Sequence, residues 1–106
     1  MDNKYWLTKL ENEVLPVLKE NLKPKKIILF GSRAVDSSAP ASDIDLIIIS
    51  DVFKEIPFVK RMSFVLKQIK FPKHLDILCY TPEEFETIKN TSAIVQNALT
   101  HSQVLF

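Results

Sequence analysis

Two aspartates open an apolar segment in the first half of the chain. Asp43 and Asp45 stand two residues apart at the start of a run of Leu and Ile that continues to Ile49. On a β-strand, residues two apart point to the same face, and their Cα atoms lie about 7 Å apart. Both carboxylates can therefore converge on one small cation or on a close pair, and carboxylate oxygens suit Mg²⁺ or Mn²⁺. The alternative is a pair of solvated side chains at the start of a strand.

The only glycine of the 106 residues, Gly31, ends an earlier apolar run and is followed by Ser32 and Arg33. If the two runs form antiparallel strands, Gly31 and Ser32 lie at the same edge as the aspartates. Glycine lets a ligand approach the backbone closely, and a short helix that begins at Ser32 offers free N–H groups and a hydroxyl to a phosphate. Arg33 could contact the same phosphate. The structural alternative is a tight turn with Ser32 as the N-cap and Arg33 exposed.

A third acid, Asp76, lies inside a later apolar segment. It alternates in phase with Leu78 and Tyr80, so it shares their face of the predicted strand. If this strand runs parallel beside the strand that carries the first two aspartates, all three carboxylates meet at one edge of the sheet. The alternative is a charge that protects an edge strand from aggregation.

Three carboxylates and one phosphate-binding turn at a single edge predict phosphoryl-type transfer assisted by two divalent ions. Such ions lie about 3.5–4 Å apart and stabilise the attacking and the leaving oxygens. Asp43 and Asp45 would ligate both ions. Asp76 would hold the ion that activates the acceptor hydroxyl, and it could accept the hydroxyl proton.

The pattern around these residues predicts an α/β (α+β) fold, with a small mixed sheet flanked by helices. The connection between the first two strands is short, which allows antiparallel neighbours. Residues 51–74 provide a helical crossover, so the second and third strands should be parallel. Ile and Leu on both faces indicate that the second strand is central. The predicted strands span residues 27–30, 44–49, 75–80 and 103–106.

The predicted helices follow apolar residues at helical spacing. The first covers residues 3–22 and either kinks at Pro16 or restarts there. Thr81 and Glu84 form a capping box that begins a third helix, and a fourth covers residues 92–99. The second helix begins at Pro57, with an apolar stripe of Phe58, Met62, Val65, Leu66 and Ile69.

Length and composition indicate one domain over residues 1–106. The net charge is only +1, which argues against direct DNA binding. The single cysteine, Cys79, fits a reducing compartment, and His74 and His101 lack the spacing of a zinc site. The N-terminal segment is too charged for a signal peptide, and no apolar run is long enough to span a bilayer. We therefore expect a cytoplasmic protein with no membrane association.

The segments FGSRA at positions 30–34, SDIDL at positions 42–46 and LDI at positions 75–77 resemble the nucleotidyltransferase superfamily that includes DNA polymerase beta. In particular, the chain is similar to the minimal nucleotidyltransferase (MNT) proteins of bacteria and archaea. The resemblance implies the nucleotidyltransferase fold, ATP as the substrate and two Mg²⁺ ions, with Mn²⁺ as the alternative ion. It assigns the triphosphate to Gly31 and Ser32, and the metals to Asp43, Asp45 and Asp76. Many members carry a second glycine after the GSRA-like segment, which this chain lacks.

The resemblance also implies a function, the transfer of AMP from ATP to a hydroxyl acceptor. MNT proteins pair with an all-α HEPN-type protein, an RNA-cleaving toxin usually encoded next door, and act as antitoxins by adenylylating one of its tyrosines. Because no helical domain follows the predicted catalytic fold, we expect the missing surface to come from this partner or from a homo-oligomer. Two alternatives remain open: a nucleotide-binding module that neutralises its partner without catalysis, and a transferase for a small hydroxylated molecule such as an aminoglycoside.

Overall fold

The computed structural model describes residues 3–31 and 43–106. Two helices precede the first two strands, a helical crossover leads to the third strand, and two further helices precede the last. A 3₁₀ turn, Asp51–Glu55, begins the crossover. The other elements are α1 (Asn3–Glu13), α2 (Leu15–Leu22), β1 (Lys26–Phe30), β2 (Ile44–Ile49), α3 (Phe58–Leu66), β3 (Leu75–Tyr80), α4 (Pro82–Thr91), α5 (Ala93–Thr100) and β4 (Gln103–Val104).

Within the described ranges, the strands form one mixed four-stranded sheet in the order β3-β2-β1-β4. β1 and β2 are antiparallel, whereas β2 and β3 are parallel. These directions confirm the prediction from the short return after β1 and the helical crossover after β2. β2 lies inside the sheet, which explains why five of its six residues are buried. β4 pairs with the free side of β1, as predicted for the C-terminal edge strand.

The two faces of the sheet pack against different helices. The larger core lies between one face and helices α1, α2 and α3, and includes Leu18, Leu46 and Val65. The smaller core lies between the other face and helices α4 and α5. It gathers residues from the C-terminal ends of β2 and β3, including Ile49 and Tyr80. The N-terminal ends of the same two strands are left accessible on this face, and these ends carry the aspartates.

Local sequence signals set the ends of several helices. α1 ends at Glu13 and α2 begins at Leu15 with Pro16 in its first turn, and i→i−4 hydrogen bonds continue through the right-handed helical Val14 between them. The Thr81 hydroxyl accepts a hydrogen bond from the Glu84 N–H, and the Glu84 carboxylate accepts one from the Thr81 N–H. The predicted capping box therefore begins α4. No helix in the described part of the chain is long and apolar enough to span a membrane.

The predicted apolar stripe of α3 is wrong in part. Phe58 and Met62 are 53% and 38% exposed, whereas Arg61 is 5% exposed. The Arg61 guanidinium donates to the carbonyls of Ile56 and Cys79 and pairs with the carboxylate of Glu84. These acceptors compensate for the cost of removing the guanidinium charge from water, which is large for a buried arginine without partners. Arg61 thus joins α3, β3 and α4, and the apolar side chains beside it turn toward solvent.

Candidate active site

The pairing of β2 with its two neighbours brings the predicted site residues to one end of the sheet. Asp45 stands opposite Phe30 on β1 and opposite Asp76 on β3. The Ile44 N–H donates to the His74 carbonyl at 3.2 Å, which places Asp43 beside His74 at the same end. Since side chains alternate between faces, Asp43, Asp45 and Asp76 lie on the face that α4 and α5 cover only at its other end.

Three side chains at this end form a close group of metal-binding type. One ligand atom each of Asp43, His74 and Asp76 lies within 4.8 Å of the other two, and all three side chains are exposed. Asp45 is half-buried beside this group. The sequence prediction did not include His74, because it considered only the spacing between the two histidines. His74 precedes Asp76 by two residues, so the argument that joined Asp43 to Asp45 would have found it.

The charges at this end influence each other. Burial raises the pKa of the Asp45 carboxyl above its ordinary value, and the carboxylates of Asp76 and Asp43 raise it further, whereas His74 lowers it. The ionised form of Asp45 is therefore destabilised by its surroundings. A cation bound here would favour ionisation and lower this pKa. The carboxylates are thus already close together before any cation binds, as in a site built for a positively charged ligand.

Gly31 ends β1 directly beside Asp45. Its φ of +76° lies in the left-handed region, which glycine adopts without steric cost. A Cβ atom at this position would lie 3.3 Å from Asp45 Cγ and still closer to Asp45 Oδ2. Glycine is therefore needed here for two reasons, the backbone conformation and the space that the Asp45 carboxylate occupies. The predicted contact of Gly31 with a triphosphate stays a prediction.

The remaining predicted site residues, Ser32 and Arg33, lie outside the described residues. The structure does bring Asp43, Asp45 and Asp76 together, and it adds His74. The chemistry of this donor set fits a small divalent cation, because carboxylate oxygens bind Mg²⁺ and Mn²⁺ and an imidazole nitrogen is a further transition-metal ligand. The roles of these residues in metal binding and catalysis stay predictions.

Comparison with solved structures indicates the fold. A protein from Sulfolobus solfataricus proposed to be a nucleotidyltransferase superposes with a TM-score of 0.65 and 22% identity, over 98% of this chain and 82% of the other. The BolA domain of SufE1 from Arabidopsis thaliana aligns with 65% of this chain and 87% of its own length at 25% identity. Its TM-score of 0.49 is too low to support a shared fold. No curated protein matches the sequence significantly.

Comparison with family models identifies the family. The model of the nucleotidyltransferase domain matches residues 11–104, which include both aspartate-bearing strands and the glycine at the end of β1. The mixed sheet, the helices on its faces and the acidic end of β2 and β3 agree with this match. The chain therefore belongs to the nucleotidyltransferase domain family.

Proposed function

We propose that this protein transfers a nucleoside monophosphate, AMP from ATP, to a hydroxyl group on a partner protein, breaking the bond between the α- and β-phosphates and releasing pyrophosphate. The observation that carries the proposal is the meeting of three aspartates at one accessible end of the sheet, with Asp45 and Asp76 directly opposite each other. This placement matches what two-metal nucleotidyl transfer requires. ATP as the substrate, together with the single cysteine of the chain, fits a cytoplasmic location.

The residues at this end of the sheet would have different roles in the reaction. Asp43, Asp45 and Asp76 would hold Mg²⁺ or Mn²⁺, which when bound neutralises phosphate charge and acidifies the acceptor hydroxyl. Asp76 is exposed at the edge strand β3, where an acceptor can reach it, and its carboxylate can accept the hydroxyl proton. Gly31 brings its backbone next to Asp45, so a triphosphate bound along the end of β1 would lie against the carboxylates. Ser32 and Arg33 would contact the same phosphates.

The proposed acceptor is a tyrosine of an all-α HEPN-type protein, which the chain would control as its antitoxin. The resemblance to MNT proteins suggests this partner, and exposed apolar side chains are consistent with a protein-binding surface. Phe58, Val59 and Met62 lie together on α3, and Val59 is 87% exposed. Ile94 on α5 is 79% exposed.

The test is transfer of label from ATP labelled at the α-phosphate to the product of the neighbouring gene in the presence of Mg²⁺. Wild-type protein is compared with Asp43→Ala and Asp76→Ala. Asp51→Ala is the matched control, because Asp51 is an exposed aspartate whose partners are Lys25 and Lys54, away from the site. We expect label on the partner with wild-type protein and Asp51→Ala, and none with the two site variants.

A different outcome would identify the alternative. If the partner is silenced equally by wild-type protein and by both site variants, and no label is transferred, the protein acts by forming a complex and the catalytic proposal is wrong. Label on a small hydroxylated molecule, with none on the protein partner, would refute the proposed acceptor and retain the proposed chemistry.

A further inference from the structure

His74 is the one member of the close group that brings nitrogen to this end of the sheet. Its ring lies within 4.8 Å, ligand atom to ligand atom, of both Asp43 and Asp76. The position of its backbone is determined by the sheet, because the His74 carbonyl accepts the hydrogen bond from the Ile44 N–H. His74 directly precedes β3 and stands two residues before Asp76, and the ligand atoms of the two side chains lie within 4.8 Å of each other. His74 therefore lies just outside β3, and its backbone is nevertheless held at the acidic end of the sheet.

The distances in this group fit a single ion. Two ligands on opposite sides of a Mg²⁺-sized ion are about 4.2 Å apart, twice the metal–oxygen distance. The three ligand atoms are at most 4.8 Å apart, so small rotations of exposed side chains would bring them to a common ion. Exposure also leaves room for water and phosphate oxygens to complete the coordination, as an ion that binds substrate requires.

The chemistry of the group is not that of a pure Mg²⁺ site. Mg²⁺ prefers oxygen ligands, whereas an imidazole nitrogen favours the divalent transition metals, and Mn²⁺ accepts carboxylates as well. A set of two carboxylates and one imidazole should therefore lose little affinity for Mg²⁺ when the imidazole is removed and much more for Mn²⁺.

We infer that His74 is a nitrogen ligand of the cation at this end of the sheet, together with Asp43 and Asp76, and that it shifts the preference of the site from Mg²⁺ toward Mn²⁺. The inference rests on the proposed function only in placing a divalent cation here. Asp45 would remain an oxygen ligand beside the group. The site would then offer a cation one imidazole nitrogen together with carboxylate oxygens.

The test uses the metal alone as the probe, without nucleotide. Binding of Mn²⁺ and of Mg²⁺ is measured by calorimetry, and bound Mn²⁺ is examined by pulsed electron paramagnetic resonance for coupling to ¹⁴N. His74→Ala is compared with His101→Ala, the same change at the only other histidine of the chain, which lies at the end of α5. Thermal melting checks that both variants fold.

We expect nitrogen coupling in wild-type protein and in His101→Ala, and its loss in His74→Ala. Loss of an outer partner of a ligand already lowers metal affinity about 10- to 100-fold, so loss of the ligand itself should lower Mn²⁺ affinity at least about tenfold. Mg²⁺ affinity should fall by less. The inference is wrong if wild-type protein binds no Mn²⁺, if bound Mn²⁺ shows no nitrogen coupling, or if His74→Ala lowers both affinities equally.

These outcomes are independent of catalysis. A protein that binds Mn²⁺ through nitrogen but transfers no label from ATP would keep the inference and refute the proposed function. A protein that transfers label in Mg²⁺ and shows no nitrogen coupling would keep the proposed function and refute the inference.

Discussion

Replacing Gly31 with alanine should lower the free energy of unfolding, and the structure shows two separate contributions to this loss. The first part is the backbone. Gly31 has a φ of +76°, and an L-residue in the left-handed region costs about 1–2 kcal/mol. This cost is present whatever surrounds the residue, because it arises from the contact of the new Cβ with its own backbone.

The second part is the contact with Asp45. The new Cβ would overlap Asp45 Oδ2, the far end of a half-buried side chain. The carboxylate can rotate away more easily than β1 and β2 can separate, and a side chain displaced from its rotamer costs about 0.5–1.5 kcal/mol. The total of about 1.5–3.5 kcal/mol should lower the urea midpoint of unfolding by about 1 M, with an unchanged slope.

A double-mutant cycle separates the two parts. Gly31→Ala is made in wild-type protein and in Asp45→Ala, and urea unfolding is followed by circular dichroism without added metal. In the Asp45→Ala background only the backbone cost should remain, so the two effects should differ by about 0.5–1.5 kcal/mol. The reasoning is refuted if Gly31→Ala leaves the midpoint unchanged, or if it costs the same in both backgrounds.

Three further predictions concern single side chains. The hydrogen bond from Arg61 holds the pKa of the Glu84 carboxyl below its ordinary 4.5, so this pair stabilises the fold above pH 4.5 and the stabilisation is lost on acidification. The melting temperature should therefore fall more steeply from pH 6 to pH 3 for wild-type protein than for Glu84→Gln. Burial raises the pKa of the Cys79 thiol to about 12, so iodoacetamide should modify Cys79 at pH 8 only after urea unfolds the protein, as mass spectrometry would show. The raised pKa of Asp45 means that its ionised form opposes folding, so Asp45→Asn should melt at a higher temperature than metal-free wild-type protein at pH 7. The difference in melting temperature should shrink as the pH falls and Asp45 takes up a proton. A difference that stays constant with pH would contradict this prediction.

The sheet could be predicted from the sequence because its determinants are local. The short return after β1 and the long crossover after β2 leave few ways to connect the strands, and period-two alternation assigns each side chain to a face. The same alternation placed Asp45 and Asp76 on one face, and the parallel pairing then brought them opposite each other. Strand direction and alternation were therefore sufficient to bring the acids together.

The burial of Arg61 could not be predicted in this way. Its partner Glu84 lies on another helix, 23 residues further along the chain, and the capping box already accounted for that glutamate. Helical periodicity assigns residues to faces by hydrophobicity, so it placed Phe58 and Met62 in the core. A buried arginine depends on acceptors that only the tertiary structure brings together.

His74 and Gly31 show two further limits. His74 was judged by its distance in sequence from the other histidine, although its neighbours in the site, Asp43 and Asp76, lie at the N-terminal ends of the adjacent strands β2 and β3. Gly31 was expected to make room for a triphosphate. The atoms closest to the position of its missing Cβ belong to Asp45, a neighbour that depends on the register of β1 against β2.

The central claim is that nucleotide and metal bind at the end of the sheet formed by Gly31, Asp43, Asp45 and Asp76. The most direct measurement is a crystal structure with Mn²⁺ and an ATP analogue that cannot be cleaved at the α-phosphate, with Mn²⁺ located by its anomalous scattering. We predict an anomalous peak between the carboxylates, with the triphosphate running along the end of β1 at Gly31. A nucleotide bound elsewhere on the protein, or an ordered nucleotide with no metal at these aspartates, would contradict the claim.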